Sequence, residues 1–314
     1  PRQSAGPASQ EMGLDERSVL EMFDKSKVAF SAFWFEGLRS LDDVTRVCDD
    51  LTALGYRGVE WKETCFGSGK DACDRLKMAS EATRAAGLEV TDFVILRNLT
   101  DPERCDVTEE EICEFVRASA AAGVNMVNTA SGPVITKPVP DDEWWRPCAP
   151  DWDKSWGTME KTLGKVLKVA ESEGVTIAFE TILGTLVHDY YSTLELLRRL
   201  DSSNLALTLD PSHYLIHDND IGYAIRSLGT KIGLVHVKDA VGRPGIFGRD
   251  FLFPILGEGA INWQEFFAAL DDISYTGWLS LEFESFKYMN EVLRGDALEA
   301  ARLSMRSYKA LAGG

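Results

Sequence analysis

About eight times along the 314 residues, a short apolar run rich in β-branched residues gives way to a stretch with helical periodicity. The runs predict strands at 27–35, 57–61, 88–95, 124–129, 175–180, 205–210, 231–237 and 278–283. The intervening stretches predict amphipathic helices at 41–54, 71–86, 108–122, 155–173, 192–201, 218–229 and 263–271, closed by one at 294–311. Gly55, Gly87, Gly123 and Gly174 each stand just before a strand, where a helix ends on a left-handed residue. Eight such units imply an α/β protein, a single-domain (β/α)8 or TIM barrel. A doubly wound sheet needs fewer units and carries a glycine-rich turn after its first strand. The turn here, FWFEGLRS, has no such pattern.

The last four strands share a further property. Each finishes on a carboxylate or an imidazole, at Glu180 in AFET, Asp210 in LDPSH, His236 in LVHVKD and Glu282 in SLEFE. In a barrel these ends open at the C-terminal mouth, where such folds place their chemistry. A single polar strand end is usually a helix cap, and four unrelated caps is the alternative. Three carboxylates and one imidazole in succession match the ligand set of a hard to borderline divalent cation, Mn2+ first and Mg2+ or Co2+ next. Without a thiolate the set does not describe a closed structural zinc site.

Charge and cysteine usage narrow the partners. The 33 basic against 50 acidic residues give a net charge of −17, which repels nucleic acid and anionic membranes. No stretch is apolar enough to cross a bilayer or to form a signal-peptide core, so a cytoplasmic location is expected. Residues 1 to about 13 read as a disordered lead-in, with the catalytic domain over 14–314. Cys48, Cys65, Cys73, Cys105, Cys113 and Cys148 include no CxxC pair and are expected to be reduced structural thiols.

The segments FETILGTL (179–186), LDPSHYLIHDND (209–220), KIGLVHVKDA (231–240), LGEGAINW (256–263) and YTGWLSLEFES (275–285) resemble the sugar phosphate isomerase/epimerase-like barrels. That family shares its fold with xylose isomerase and includes ketose 3-epimerases, hydroxypyruvate isomerase and inosose dehydratase. The resemblance is firm over the C-terminal half, whereas the N-terminal half shares only the βα rhythm. It implies metal ligation by Glu180, Asp210, His236 and Glu282. It also implies that the two glutamates act as acid and base on opposite faces of a substrate. Glu284, two residues past Glu282, is the rival to it.

Several other residues are candidates for the mouth. His213, three residues past Asp210, could contact a substrate hydroxyl in catalysis, steady Asp210 or cap a helix. Lys238 could polarise a sugar hydroxyl or pair with Asp239. Arg243, in the loop after strand seven, matches a basic substrate contact in the related enzymes, and Arg249 is its more solvated neighbour. Glu60 and Lys62 alternate around Trp61 and so face the same way. Trp34 or Phe35 could add an aromatic wall. The segment from Ser131 to Trp156 holds Trp144, Trp145, Trp152, Trp156 and five prolines, the composition of a stiff aromatic cover that stacks on a sugar, or of an oligomer contact. Ile182 replaces the polar residue that many relatives carry after the Glu-Thr pair.

The expected function is a divalent-metal-dependent isomerase or epimerase on a sugar or polyol, through an enediolate. A lyase or dehydratase on a keto-sugar, inosose or 3-keto-glycoside is the alternative on the same cage. A non-catalytic sugar-binding barrel subunit is the third reading, and homo- or hetero-oligomers are left open.

Overall fold

The computed structural model describes residues 24–138 and 148–313. The lead-in and the pair Trp144 and Trp145 therefore lie outside the described residues. Eight parallel strands close into a barrel: β1 (Val28–Ser31), β2 (Gly58–Lys62), β3 (Glu89–Val94), β4 (Met126–Ala130), β5 (Thr176–Glu180), β6 (Leu205–Leu209), β7 (Ile232–Val237) and β8 (Leu279–Leu281). Each strand pairs with the next in the chain, and β8 returns to β1 through Val28 opposite Leu279. Neighbouring parallel strands need a crossover each, and the helices between them supply it.

The helices form where capping and periodicity agree. In α1 (Leu41–Leu54), Ser40 and Asp43 make a capping box, and Val44, Val47, Cys48 and Leu51 form the buried stripe. The other ring members are α2 (Lys70–Ala85), α3 (Cys105–Ala121), α4 (Trp152–Glu173), α5 (Tyr190–Arg199), α6 (Pro211–Ile216), α7 (Ile221–Leu228), α8 (Trp263–Asp272) and α9 (Ala297–Ala312). Gly55, Gly87, Gly123 and Gly174 all adopt positive φ, between 67° and 95°, as their place before strands requires. The helix expected over 218–229 is α7, and a short helix that was not expected, α6, precedes it. Asp210 and Pro211 start α6 at once, Asp218 breaks it at a φ of 54°, and Asp220 caps α7.

Two hairpins elaborate the mouth. One pairs Thr136–Pro138 with Cys148–Pro150 after β4, and the other pairs Val241–Gly242 with Phe251–Leu252 after β7. Trp156, assigned by its sequence context to an aromatic cover, instead lies inside α4 and is buried in the core, with the Arg199 guanidinium 4.9 Å from its ring. Helical periodicity carries it inward. Trp152, at the start of α4, is exposed. Cys48, Cys65, Cys73, Cys105 and Cys113 are free thiols, and burial pushes Cys48 up to about 11. No described helix is long and apolar enough to cross a membrane.

Candidate metal centre at the barrel mouth

Register places the four strand-end residues. Glu180 is the last residue of β5 and lies opposite Ala130 and Thr208, while His236 lies opposite Ser280 in β8. Asp210 follows β6 directly and caps α6 by accepting from Ser212 N at 2.8 Å. Glu282 follows β8 and continues the ladder by donating its N–H to Val237 O at 3.3 Å. One donor atom from each of Glu180, Asp210, His236 and Glu282 lies within 4.8 Å of the others. A closed barrel fixes these positions through its backbone ladders, so the side chains arrive together without help from loops.

The histidine is held from both sides. Its Nε2 is 2.9 Å from Glu60 Oε2, and its Nδ1 is 3.1 Å from Glu180 Oε1 and 3.6 Å from Glu282 Oε2. Ser31 donates to the other oxygen of Glu60, the partner in register with it on β1. When Nε2–H donates to Glu60, the Nδ1 lone pair faces Glu180 and Glu282. That is the arrangement in which a carboxylate fixes the tautomer of a metal-ligating imidazole.

Lys238 fills the opposite side. Its ammonium is 2.8 Å from Asp210 Oδ2 and 2.7 Å from both Glu282 Oε2 and Glu284 Oε2, with only 2% of the side chain exposed. His213 Nε2 stands 3.3 Å from Asp210 Oδ2 and 3.3 Å from the lysine. Burial by itself lifts the Asp210 and Glu282 carboxyls, but Lys238 together with His213 and His236 at Asp210, and with His236 at Glu282, outweighs it and holds both below their usual values. Burial wins for Glu180, which is raised, and for Glu284, pushed up to about 7. Burial with the neighbouring Lys238 lowers His213 to about 3, so its imidazole is neutral. Burial disfavours charge on His236 too, but Glu60, Glu180 and Glu282 raise it well above the ordinary imidazole value.

Six carboxyls, those of Glu60, Asp92, Glu180, Asp210, Glu282 and Glu284, thus crowd Lys238 and His236. A buried excess of negative charge is costly unless cations or protons compensate it. The donor set therefore fits a divalent cation held by Glu180, Asp210, His236 and Glu282.

Several expectations for the mouth change. Asp239 does not pair with Lys238. It accepts from Gly257 N (2.9 Å), Gly259 N (3.0 Å) and Trp263 Nε1 (3.2 Å), and so ties down the LGEGAINW loop. A Cβ on Gly259 would meet Asp239 Oδ1 at 1.9 Å, which explains the glycine there. Arg243 stands 79% exposed, 4.0 Å from Asp218, outside the cleft that holds the ligands. Arg249 pairs with Asp250 at 2.7 Å. Trp34 does not line the cleft either. Because β1 ends at Ser31 and the chain turns, Phe35 N donating to Ala32 O at 2.9 Å, Phe33 lines it instead. The Trp34 indole donates to Phe283 O at 2.7 Å.

Glu60 and Lys62 both line the cleft, as their alternation requires. Asp92, which the sequence reading passed over, is fully buried beside Glu60. Its signal was a carboxylate in the middle of the apolar run LEVTDFVI. His188 and His217 stack on each other with ring centroids 4.8 Å apart, away from the ligands.

The family model for xylose isomerase-like TIM barrels matches residues 48–311, and the chain belongs to that family. It is 32% identical over 274 residues to an L-ribulose 3-epimerase of Mesorhizobium japonicum, a match spanning 77% of this chain and 85% of that one. An inosose dehydratase of Halalkalibacterium halodurans is 27% identical over 42% of this chain and 47% of its own length, so this chain matches about half of that relative. Among solved structures, D-psicose 3-epimerase with D-tagatose from Clostridium cellulolyticum superposes with a TM-score of 0.67 at 19% identity, covering 91% of this chain and 99% of that one. An IolI protein with a bound zinc atom gives 0.69 at 18% identity, over 91% and 97%.

Proposed function

We propose that the chain is a divalent-metal-dependent isomerase or epimerase of a sugar or polyol, with Mn2+ as the metal and an enediolate as the intermediate. The observation that carries this reading is the convergence of donor atoms from Glu180, Asp210, His236 and Glu282 within 4.8 Å at the barrel mouth. A cation held there supplies Lewis acidity to a carbonyl and its neighbouring hydroxyl, which acidifies the C–H between them. Glu180 and Glu282 both approach His236 Nδ1, at 3.1 and 3.6 Å, and each has a second oxygen that can take or return a proton. Lys238 holds Glu282 ionised, and Glu60 orients His236. The epimerase relative, matched over most of both chains, supports the isomerase outcome. The dehydratase relative supports a second reading, a lyase in which the same carbanion expels a β-substituent.

Incubation of the Mn2+-loaded protein with ketoses in D2O should place deuterium at the carbon next to the carbonyl. Glu180→Gln and Glu282→Gln should each abolish exchange while keeping some metal, because an amide still offers an oxygen but takes no proton. Unsaturated products would move the assignment to lyase. Neither exchange nor turnover across ketoses, inososes and 3-keto-glycosides would refute both.

A further inference from the structure

Beside the metal-ligand cleft lies a second cavity. The cleft encloses about 70 Å³, whereas the neighbouring groove encloses about 280 Å³. Since a water occupies about 30 Å³ in the liquid, the cleft takes only the reacting end of a substrate. The rest of any larger ligand must lie outside it.

Phe253 is a wall between the two spaces. Its ring is 4.8 Å from Lys238 Nζ and meets His213 edge-on at 5.8 Å, and it also lines the groove. On the β8 side the chain passes directly from Glu284, which lines the cleft, to Ser285 and Phe286, which line the groove. Phe247 completes the wall, with ring centroids 6.0 Å from Phe253 and 5.7 Å from Phe286. Phe247, Leu252 and Val292, which line the groove, are exposed, three of the eleven large hydrophobic side chains that are exposed among the described residues. Clustered exposure of this kind marks a binding surface, whereas single exposed apolar residues need no explanation.

We propose that this groove is a subsite for an aryl substituent, so that the substrate class is a sugar or cyclitol bearing an aromatic group. The proposal rests on the sugar chemistry assigned to the cleft and adds the appendage. Size selects the occupant. A cavity of about 150 Å³ lined by apolar side chains takes up benzene, so this one has room for one or two rings. The lining offers ring edges and faces for edge-to-face contact, while Lys287 and Glu258 at the groove give polar partners for ring hydroxyls. Adjacency to the cleft, across Phe253 and from Glu284 to Ser285, argues for one ligand reaching from one to the other.

The test compares phenyl β-D-glucopyranoside with methyl β-D-glucopyranoside by calorimetry on the Mn2+-loaded full chain, in the wild type and in Val292→Glu. Val292 is 55% exposed, so a glutamate there places charge in the groove without touching the core. Unchanged melting temperature and metal content check that. The phenyl compound should bind at least about tenfold more tightly than the methyl compound, and the ratio should fall to about twofold or less in the variant. Equal affinities, undetectable binding of the phenyl compound, or a ratio that survives Val292→Glu overturns the subsite. If the variant instead dissociates an oligomer while the ratio stands, the groove is a contact between copies of the chain and the proposal is also overturned. The phenyl preference together with no deuterium exchange on any sugar would leave the subsite standing and refute the proposed reaction. Exchange on plain ketoses with no phenyl preference would do the reverse.

Discussion

Lys238→Met removes one ammonium and keeps most of an apolar stem. In the wild type that ammonium is within 2.8 Å of carboxylate oxygens from Asp210, Glu282 and Glu284. Removing one partner of a buried ion pair costs about 3–5 kcal/mol, because the remaining charge stays desolvated. The upper end is the ceiling, since Glu284 already stands at about 7 and takes a proton readily. At about 2 °C per kcal/mol for a chain this long, the metal-free melting temperature should fall by about 6–10 °C. Metal should narrow the deficit, because Lys238 competes with it for Asp210 and Glu282, and the variant should bind Mn2+ at least as tightly as the wild type. The pH dependence has a definite sign. Burial raises Asp210 and Glu282, Lys238 with the neighbouring histidines outweighs it, and both end lowered, so their stabilising contribution is present above about pH 4 and lost as pH falls through the folded values. The deficit should be full at pH 7 and shrink on acidification. Differential scanning calorimetry in chelator and in Mn2+, across pH, measures all of this. A metal-free melting temperature within about 2 °C of wild type, or a deficit indifferent to both metal and pH, would refute the assignment of Lys238 as the internal counter-charge.

Three further outcomes follow from neighbouring residues. Glu60→Gln keeps the shape beside His236 Nε2, 2.9 Å away, but loses the carboxylate charge, so Mn2+ affinity should drop about 10–100-fold by calorimetry. Wild-type affinity in that variant would remove Glu60 from its orienting role. Asp92 is fully buried, its Oδ2 has no hydrogen-bond partner, and burial followed by Glu60 raises its carboxyl well above the ordinary value. An acid raised on folding loses stability as pH rises past about 4, where the unfolded chain ionises, so Asp92→Asn should gain melting temperature at pH 7–8 and none near pH 4. A pH-independent difference counts against it. Trp156→Ala should cost about 3–5 kcal/mol in denaturant titrations with sugar affinity unchanged, whereas lost affinity at full stability would restore the aromatic cover.

The barrel and the convergence of the four strand-end residues were legible because both depend on period. Parallel strands buried on both faces read as apolar runs, and the ladder fixes which residue ends each strand. Glu180, Asp210, His236 and Glu282 needed no loop to bring them together, and Glu60 with Lys62 followed from simple alternation. Strand ends were less legible. β1 was expected to reach residue 35 and stops at Ser31, because the turn closed by Ala32 and Phe35 cuts the alternation and exchanges Phe33 for Trp34 at the cleft. The same limit hid α6, since Asp210 reads as a ligand and also serves as a helix cap.

What the sequence did not yield lies in directions set by contacts distant along the chain. Lys238 and Asp239 are adjacent, yet one turns to the carboxylates and the other to a loop some 20 residues on. Alternation says that neighbours on a strand diverge, and it does not say which of two cations or anions each will find. Once Asp239 has fixed Gly257, Gly259 and Trp263, the loop between β7 and α8 is anchored at both ends, and Phe253 within it can stay against Lys238. Arg243, on the same loop but before its hairpin turns back, is carried out to solvent. The proposed metal cage is written into strand ends, while the groove proposed to select among substrates depends on one buried aspartate holding a loop in place. Specificity in such a barrel is accordingly free to change without disturbing the residues that do the chemistry.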